Sequence, residues 1–209
     1  MDEVLKTGTT TVGIVCKDCI VLGADKRATA GHFIASKDVD KVQPINEYMA
    51  ITTAGTVSDI QLMLKLIKAE LKLKQIRTNK KPSVKEGANL LAGMVYANIR
   101  KMSMIPGISH FIVGGYDSDK HLLDIYPDGS ISDIKDFVSS GSGSVMAYGV
   151  LESMYKEGLN QEEGINLVVK ALNAAIQRDS ASGEGVDIFV IDKKGVRKAL
   201  QKIINTRID

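Results

Sequence analysis

The chain has no tryptophan, only two cysteines and four prolines, and aromatic residues make up 5% of it. Two cysteines cannot staple a chain of 209 residues, so a hydrophobic core must hold the fold. Excess charge of one sign is also missing: the net charge is +2, too little for the electrostatic footprint of a nucleic-acid binder. No apolar run approaches the roughly 20 residues that a membrane span requires, and the acidic first residues lack the apolar stretch of a secretory signal. These absences lead us to expect a cytoplasmic protein with no membrane and no nucleic-acid partner.

The cysteines form Cys16-Lys-Asp-Cys19 between two β patterns. A redox motif of this spacing should open a helix, where the dipole lowers the thiol pKa, and a zinc site would need a further Cys/His pair. His32, His110 and His121 are scattered, so we expect hairpin cysteines without chemistry and no metal or cofactor. There is no Gly-x-x-x-x-Gly-Lys-Ser/Thr phosphate loop, no Gly-x-Gly-x-x-Gly, and no Gly-x-Ser-x-Gly elbow for a Ser/His/Asp hydrolase.

What is present reads as a regular alternation of elements. Residues 10–16 alternate, with Val12, Ile14 and Cys16 on one face, and 19–24 form a second strand. Residues 28–45 are mixed, and 48–53 form a strand ending at Ala54-Gly55. Ile60, Met63, Leu64, Ile67 and Leu71 recur at helical spacing and predict a helix over about 58–74. The basic segment 72–81 reads as a solvated linker. Ser83 and Glu86 make a capping box that starts a second helix running to about Met102. Strands are expected at 109–116, 121–126 and 131–138, helices from Ser144 and from Asn160 to about Asp179, and closing strands from Val186 onwards. Strands, two helices, strands, two helices and strands predict a single α+β domain. Its layers form an αββα sandwich: two antiparallel sheets flanked by helix pairs.

One junction has chemical potential. If the chain were cut after Gly8, Thr9 would carry a hydroxyl nucleophile and a free α-amine base on one residue. Asp25, Lys41 and Gly55 stand at strand ends or bends, and Ser142, Asp179 and Ser182 in two later loops.

Together these residues resemble a proteasome β subunit of the archaeal type, among the N-terminal-nucleophile hydrolases. The resemblance rests on Gly8-Thr-Thr-Thr-Val-Gly13, Gly23-Ala-Asp-Lys-Arg-Ala-Thr29, Asp40-Lys-Val42, Thr53-Ala-Gly55, Gly141-Ser-Gly-Ser144, Tyr148-Gly-Val-Leu-Glu152 and Arg178-Asp-Ser-Ala-Ser-Gly183, in family order. It implies a threonine endopeptidase made as a zymogen: residues 1–8 are removed by self-cleavage and 9–209 form the catalytic domain. Thr9 is implied as nucleophile, Lys41 as the cation beside it, Asp25 as the partner of Lys41, and Gly55 as an oxyanion N–H donor. Ser142, Asp179 and Ser182 are implied around the amine. Ala28, Val39, Thr53 and Val57 are implied as walls of a neutral substrate pocket that favours apolar side chains. The implied partners are proteasome α subunits, further copies in heptameric rings (α7β7β7α7), an ATP-dependent unfoldase and polypeptide substrates. The alternatives are a bacterial heat-shock-type threonine peptidase and a non-catalytic structural ring subunit; the box at 178–183 and the presence of both Gly8-Thr9 and Lys41 weigh against them.

Overall fold

A computed structural model describes residues 8–104 and 106–204. Strands β1 (Thr11–Val15) and β2 (Ile20–Asp25) form a hairpin across the Cys16–Cys19 turn, where the Cys16 N–H donates to the Cys19 carbonyl at 2.9 Å. A short hairpin, β3 (Ala28–Ala30) and β4 (Phe33–Ser36), lies within the region of mixed pattern. Strands β5 (Val42–Asn46) and β6 (Met49–Gly55) come next. Helices α1 (Val57–Thr78) and α2 (Val84–Ile99) precede β7 (Ser109–Tyr116), β8 (Lys120–Ile125), β9 (Ile131–Ile134) and β10 (Phe137–Ser140). Helices α3 (Ser144–Met154) and α4 (Gln161–Arg178) lead to β11 (Gly185–Asp192) and β12 (Gly195–Ile203).

The first sheet has the order β10-β1-β2-β11-β12 and the second β5-β6-β7-β8-β9, both antiparallel. Side chains alternate across each strand, and the burial follows that period. Ile20, Leu22 and Ala24 of β2 and Phe189 and Ile191 of β11 meet Ala50, Ile112 and Leu122 of the second sheet in the central core. Val21, Ile188 and Val190 point the other way, against Leu151 of α3 and Leu167, Val168 and Leu172 of α4. On the far side, Ile51, Phe111, Val113, Leu123 and Ile125 pack against Ile60, Met63 and Ile67 of α1 and Leu91 and Val95 of α2. The four layers are those of an αββα sandwich. Among the described residues, no helix is long and apolar enough to cross a membrane.

Three elements differ from the sequence pattern. The apolar run 131–138 is two strands in different sheets: β9 closes the second, a bend at Lys135-Asp136 follows, and β10 crosses to pair with β1 of the first. Residues 72–78 are not a linker but the last turns of α1, which ends at Asn79 in the left-handed conformation (φ 52°). Their side chains are mostly exposed or half-buried, so composition alone could not separate a solvated helix from a solvated loop. Helix α2 stops at Ile99, short of Met102. The capping box expected at Ser83 and Glu86 forms, and Asn160 with Glu163 makes a second; each pair exchanges reciprocal hydrogen bonds.

Candidate active site

The ends of β1, β2, β6 and β10 converge with the start of β5 and the segment after α4. Thr10, one residue before β1, lies beside Asp25 at the end of β2: the Thr10 N–H donates to Asp25 Oδ1 at 2.9 Å, and the Asp25 N–H donates to the Thr10 carbonyl at 3.1 Å. Lys41 Nζ donates to the same Oδ1 at 2.7 Å, while Oδ2 accepts from the N–H groups of Arg27 (3.0 Å) and Gly183 (2.9 Å). Asp25 and Lys41 are both buried. A carboxylate with four donors is well compensated for its desolvation. Burial lowers the Lys41 pKa, and the Asp25 charge opposes that shift without cancelling it.

A second chain of polar groups reaches Thr9. In this uncut chain the Thr9 N–H donates to Ser142 Oγ at 3.2 Å. Ser142 Oγ donates to Asp179 Oδ2 at 2.7 Å, and Ser182 Oγ donates to the same oxygen at 2.6 Å. The Thr10 and Ser182 hydroxyls lie 2.7 Å apart. The turn can approach this closely because residue 141 is glycine at φ +95°: a Cβ there would stand 2.1 Å from the Thr9 carbonyl oxygen.

Thr9, Lys41, Gly55, Ala28, Val39, Thr53 and Val57 line one pocket of about 160 Å³, together with Gly8, Asp40, Gln43 and Leu64. The four residues expected to wall a substrate pocket thus share it with Thr9. Asp40 adds a carboxylate at its rim, paired with Lys26 at 3.5 Å. Gly55 has φ +123°, and a Cβ on it would meet the Ile108 carbonyl oxygen at 2.2 Å, so close packing on β7 as well as backbone conformation demands glycine. The seven expected catalytic positions therefore lie in one neighbourhood. Asp179 and Ser182 stand behind Ser142 in the hydrogen-bond chain. Of the expected leader, Gly8 alone is among the described residues; its N–H donates to Thr29 Oγ1 at 3.0 Å, and residues 1–7 lie outside them.

Sequence reasoning missed three participants. Thr10 supplies both a backbone and a hydroxyl contact. The Arg27 guanidinium ties the Ser180 carbonyl (2.8 Å) and Glu184 (3.0 Å) to the site. Lys26, in the charged run Asp25-Lys26-Arg27, is buried and ion-paired to Asp187 (2.9 Å) and Asp38 (2.8 Å). Its carbonyl also accepts the Val39 N–H at 3.1 Å, anchoring the loop that carries Val39 and Lys41. The thiols of Cys16 and Cys19 are free and buried, at the opposite end of β1.

Known proteins are similar to this chain over most of its length. The sequence pattern described as "Proteasome subunit" matches residues 5–191. "Proteasome subunit beta" of Methanocaldococcus fervens is 41% identical over 209 residues, covering 97% of this chain and 91% of that protein. "Proteasome subunit beta 2" of Pyrococcus abyssi is 43% identical, covering 91% and 90%. "Proteasome subunit beta 2" of Aeropyrum pernix is 41% identical, covering 93% and 86%.

Proposed function

Given that the chain belongs to the proteasome subunit family, as a peptidase subunit of the 20S core, we propose that it works as a threonine endopeptidase whose nucleophile, Thr9, is released by self-cleavage at Gly8-Thr9. The observation that carries this reading is the hydrogen bond from the Thr9 nitrogen to Ser142 Oγ, backed by Asp179 and Ser182. The atom that becomes the amine already stands at the head of a polar chain.

Once freed, the amine accepts the Thr9 hydroxyl proton as Oγ1 attacks the scissile carbonyl. A nearby cation disfavours a protonated amine, so Lys41, held by Asp25, keeps the base free at neutral pH. In this reading the Gly55 N–H donates to the developing oxyanion, where one donor contributes roughly 3 kcal/mol. The tetrahedral intermediate collapses, the leaving amine takes the proton, and the acyl group remains as an ester on Thr9. Water, deprotonated by the same amine, then attacks the ester and releases the carboxylate and the hydroxyl. In the precursor the base is missing because the nitrogen is an amide. Removal of residues 1–8 turns the activity on: the Thr9 hydroxyl adds to the Gly8 carbonyl, its proton passes to the Thr9 nitrogen as the C–N bond breaks, and water hydrolyses the resulting ester to release the leader.

The pocket beside Thr9 is walled mostly by uncharged groups, which supports cleavage after apolar side chains. The chain assembles with other proteasome subunits; we further propose α subunits in an α7β7β7α7 stack, an ATP-dependent unfoldase that feeds polypeptides, and a cytoplasmic setting. The test is the intact mass and N-terminal sequence of the chain co-assembled with α subunits. Wild type should begin at Thr9 and cleave an apolar fluorogenic peptide, whereas Thr9→Ala should keep residues 1–8 and be silent. A fully assembled wild type that retains Met1 to Gly8 would instead be a structural ring subunit.

A further inference from the structure

Outside the groups assigned above, His110, Asp124 and Ser140 form an unbroken polar chain between the two sheets. His110 Nε2 lies 2.7 Å from Asp124 Oδ1, and His110 Nδ1 lies 2.7 Å from Ser140 Oγ. Asp124 and Ser140 are buried, and the Tyr126 ring lies 5.3 Å from the imidazole. A carboxylate only accepts, so Nε2 carries a hydrogen; in the neutral ring Nδ1 is then an acceptor for the Ser140 hydroxyl. The Tyr126 hydroxyl pKa is raised, first by the charge of Asp124 and then by burial.

The chain joins two strand ends that border residues of the site. His110 pairs with Ala54 in the β6–β7 ladder, next to Gly55 and its partner Ser109. Ser140 is the last residue of β10, two positions before Ser142. Between them lies only Gly141, which abuts the Thr9 carbonyl. The neighbouring Ser139 hydroxyl fixes the same strand to the Thr11 carbonyl at 2.8 Å. A glycine link has no side chain to hold its own conformation, so an anchor at Ser140 sets where the Ser142 hydroxyl falls.

We propose that His110 is a positioning residue for the peptidase reaction: braced by Asp124, its imidazole fixes Ser140 and, through Gly141, holds the Ser142 hydroxyl against the Thr9 nitrogen. This rests on Thr9 being the nucleophile. A histidine that merely fills the core would stabilise the fold without acting through Ser142.

A double-mutant cycle separates the two roles. In assembled particles whose processing is checked by mass, kcat and KM for an apolar fluorogenic peptide are measured for wild type, Thr9→Ala, His110→Phe, Ser142→Ala and the His110→Phe/Ser142→Ala pair. The His110 change should lower kcat about fivefold to tenfold, the scale of one hydrogen bond, with KM within about twofold. In the Ser142→Ala background it should cost less than about twofold, since the group it positions is gone. His110→Asn, which can still bond Ser140, should recover part of the loss. If His110→Phe does not assemble, Ser140→Ala enters the same cycle in its place. Equal losses in both backgrounds, or an unchanged kcat, overturn the positioning role while a silent Thr9→Ala leaves the threonine mechanism standing. An active Thr9→Ala would remove that mechanism, and this inference with it.

Discussion

Lys41 Nζ and Asp25 Oδ1 lie 2.7 Å apart, and both side chains are buried. Burial pulls the lysine pKa down and the carboxylate pulls it up, with burial the larger. Asp25→Asn removes the upward pull, so the lysine should lose its proton at lower pH than in wild type. If Lys41 must be charged, the alkaline limb of kcat/KM should move to lower pH, and activity near neutrality should fall by about 10-fold or more. A pH–rate profile of the assembled enzyme checks the direction; an alkaline limb that stays put would detach Lys41 from the chemistry.

Pocket size should govern which peptides are cut. Ala28 lines the same pocket of about 160 Å³ as Thr9. Ala28→Leu adds three carbons to that space, so kcat/KM for peptides with Leu or Phe before the cut should drop about 10-fold or more, following the roughly 1–3 kcal/mol per methylene of such pockets. Peptides with Ala before the cut should change little. The comparison of the two substrate series is the measurement, and an equal loss on both would argue against a steric role for residue 28.

Lys26 neutralises Asp187 at 2.9 Å with both side chains almost wholly buried. Removing one partner of a buried pair costs up to about 3–5 kcal/mol when the other is left alone, and Lys198, 3.2 Å from Asp187, offsets part of that here. Lys26→Ala should therefore lower stability by that order in denaturant unfolding, whereas Lys26→Ala combined with Asp187→Ala should recover part of it. No recovery in the double variant would assign the loss to packing.

The Asp117 carboxyl sits at the start of α2. Burial disfavours its charge, but N–H donation from Val84, Ser118 and Asp119 overrides this and brings its pKa to about 2. A pKa depressed on folding stabilises the protein above the unfolded value near 4, and that contribution fades as pH falls towards 2. Asp117 is exposed, so solvent screening limits this contribution, and Asp117→Asn should cost roughly 1 kcal/mol or less at pH 7, with the gap to wild type closing between pH 4 and 2. Thermal unfolding across that range reads the trend directly; a pH-independent gap would point to lost hydrogen-bond geometry instead.

Local signals carried most of the fold. Ser83 with Glu86 and Asn160 with Glu163 marked two helix starts to the residue, because capping chemistry lies within four positions of sequence. Residues 131–138 misled because apolar character is common to both strands, while the bend at Lys135-Asp136 that sends β10 to the other sheet is a tertiary choice. The site was legible as motifs but not as a network. Nothing near His110 in the sequence announces Ser140 and Asp124, since β7, β8 and β10 meet only in the folded sandwich. Lys26 is similar: a charge run looks solvated until Asp187, 161 residues away, appears beside it.

The hydrogen bond between Thr9 and Ser142 spans 133 positions of the chain, and that between Thr10 and Ser182 spans 172. Contacts so distant along the chain close late, after the loop entropy of the intervening segment has been overcome. A nascent chain leaving the ribosome therefore exposes its threonines long before the serines that address them exist. The topology acts as a clock: the self-cleavage proposed above would have to wait until nearly the whole polypeptide has been made and folded, so an unfinished chain would not acquire a working protease site.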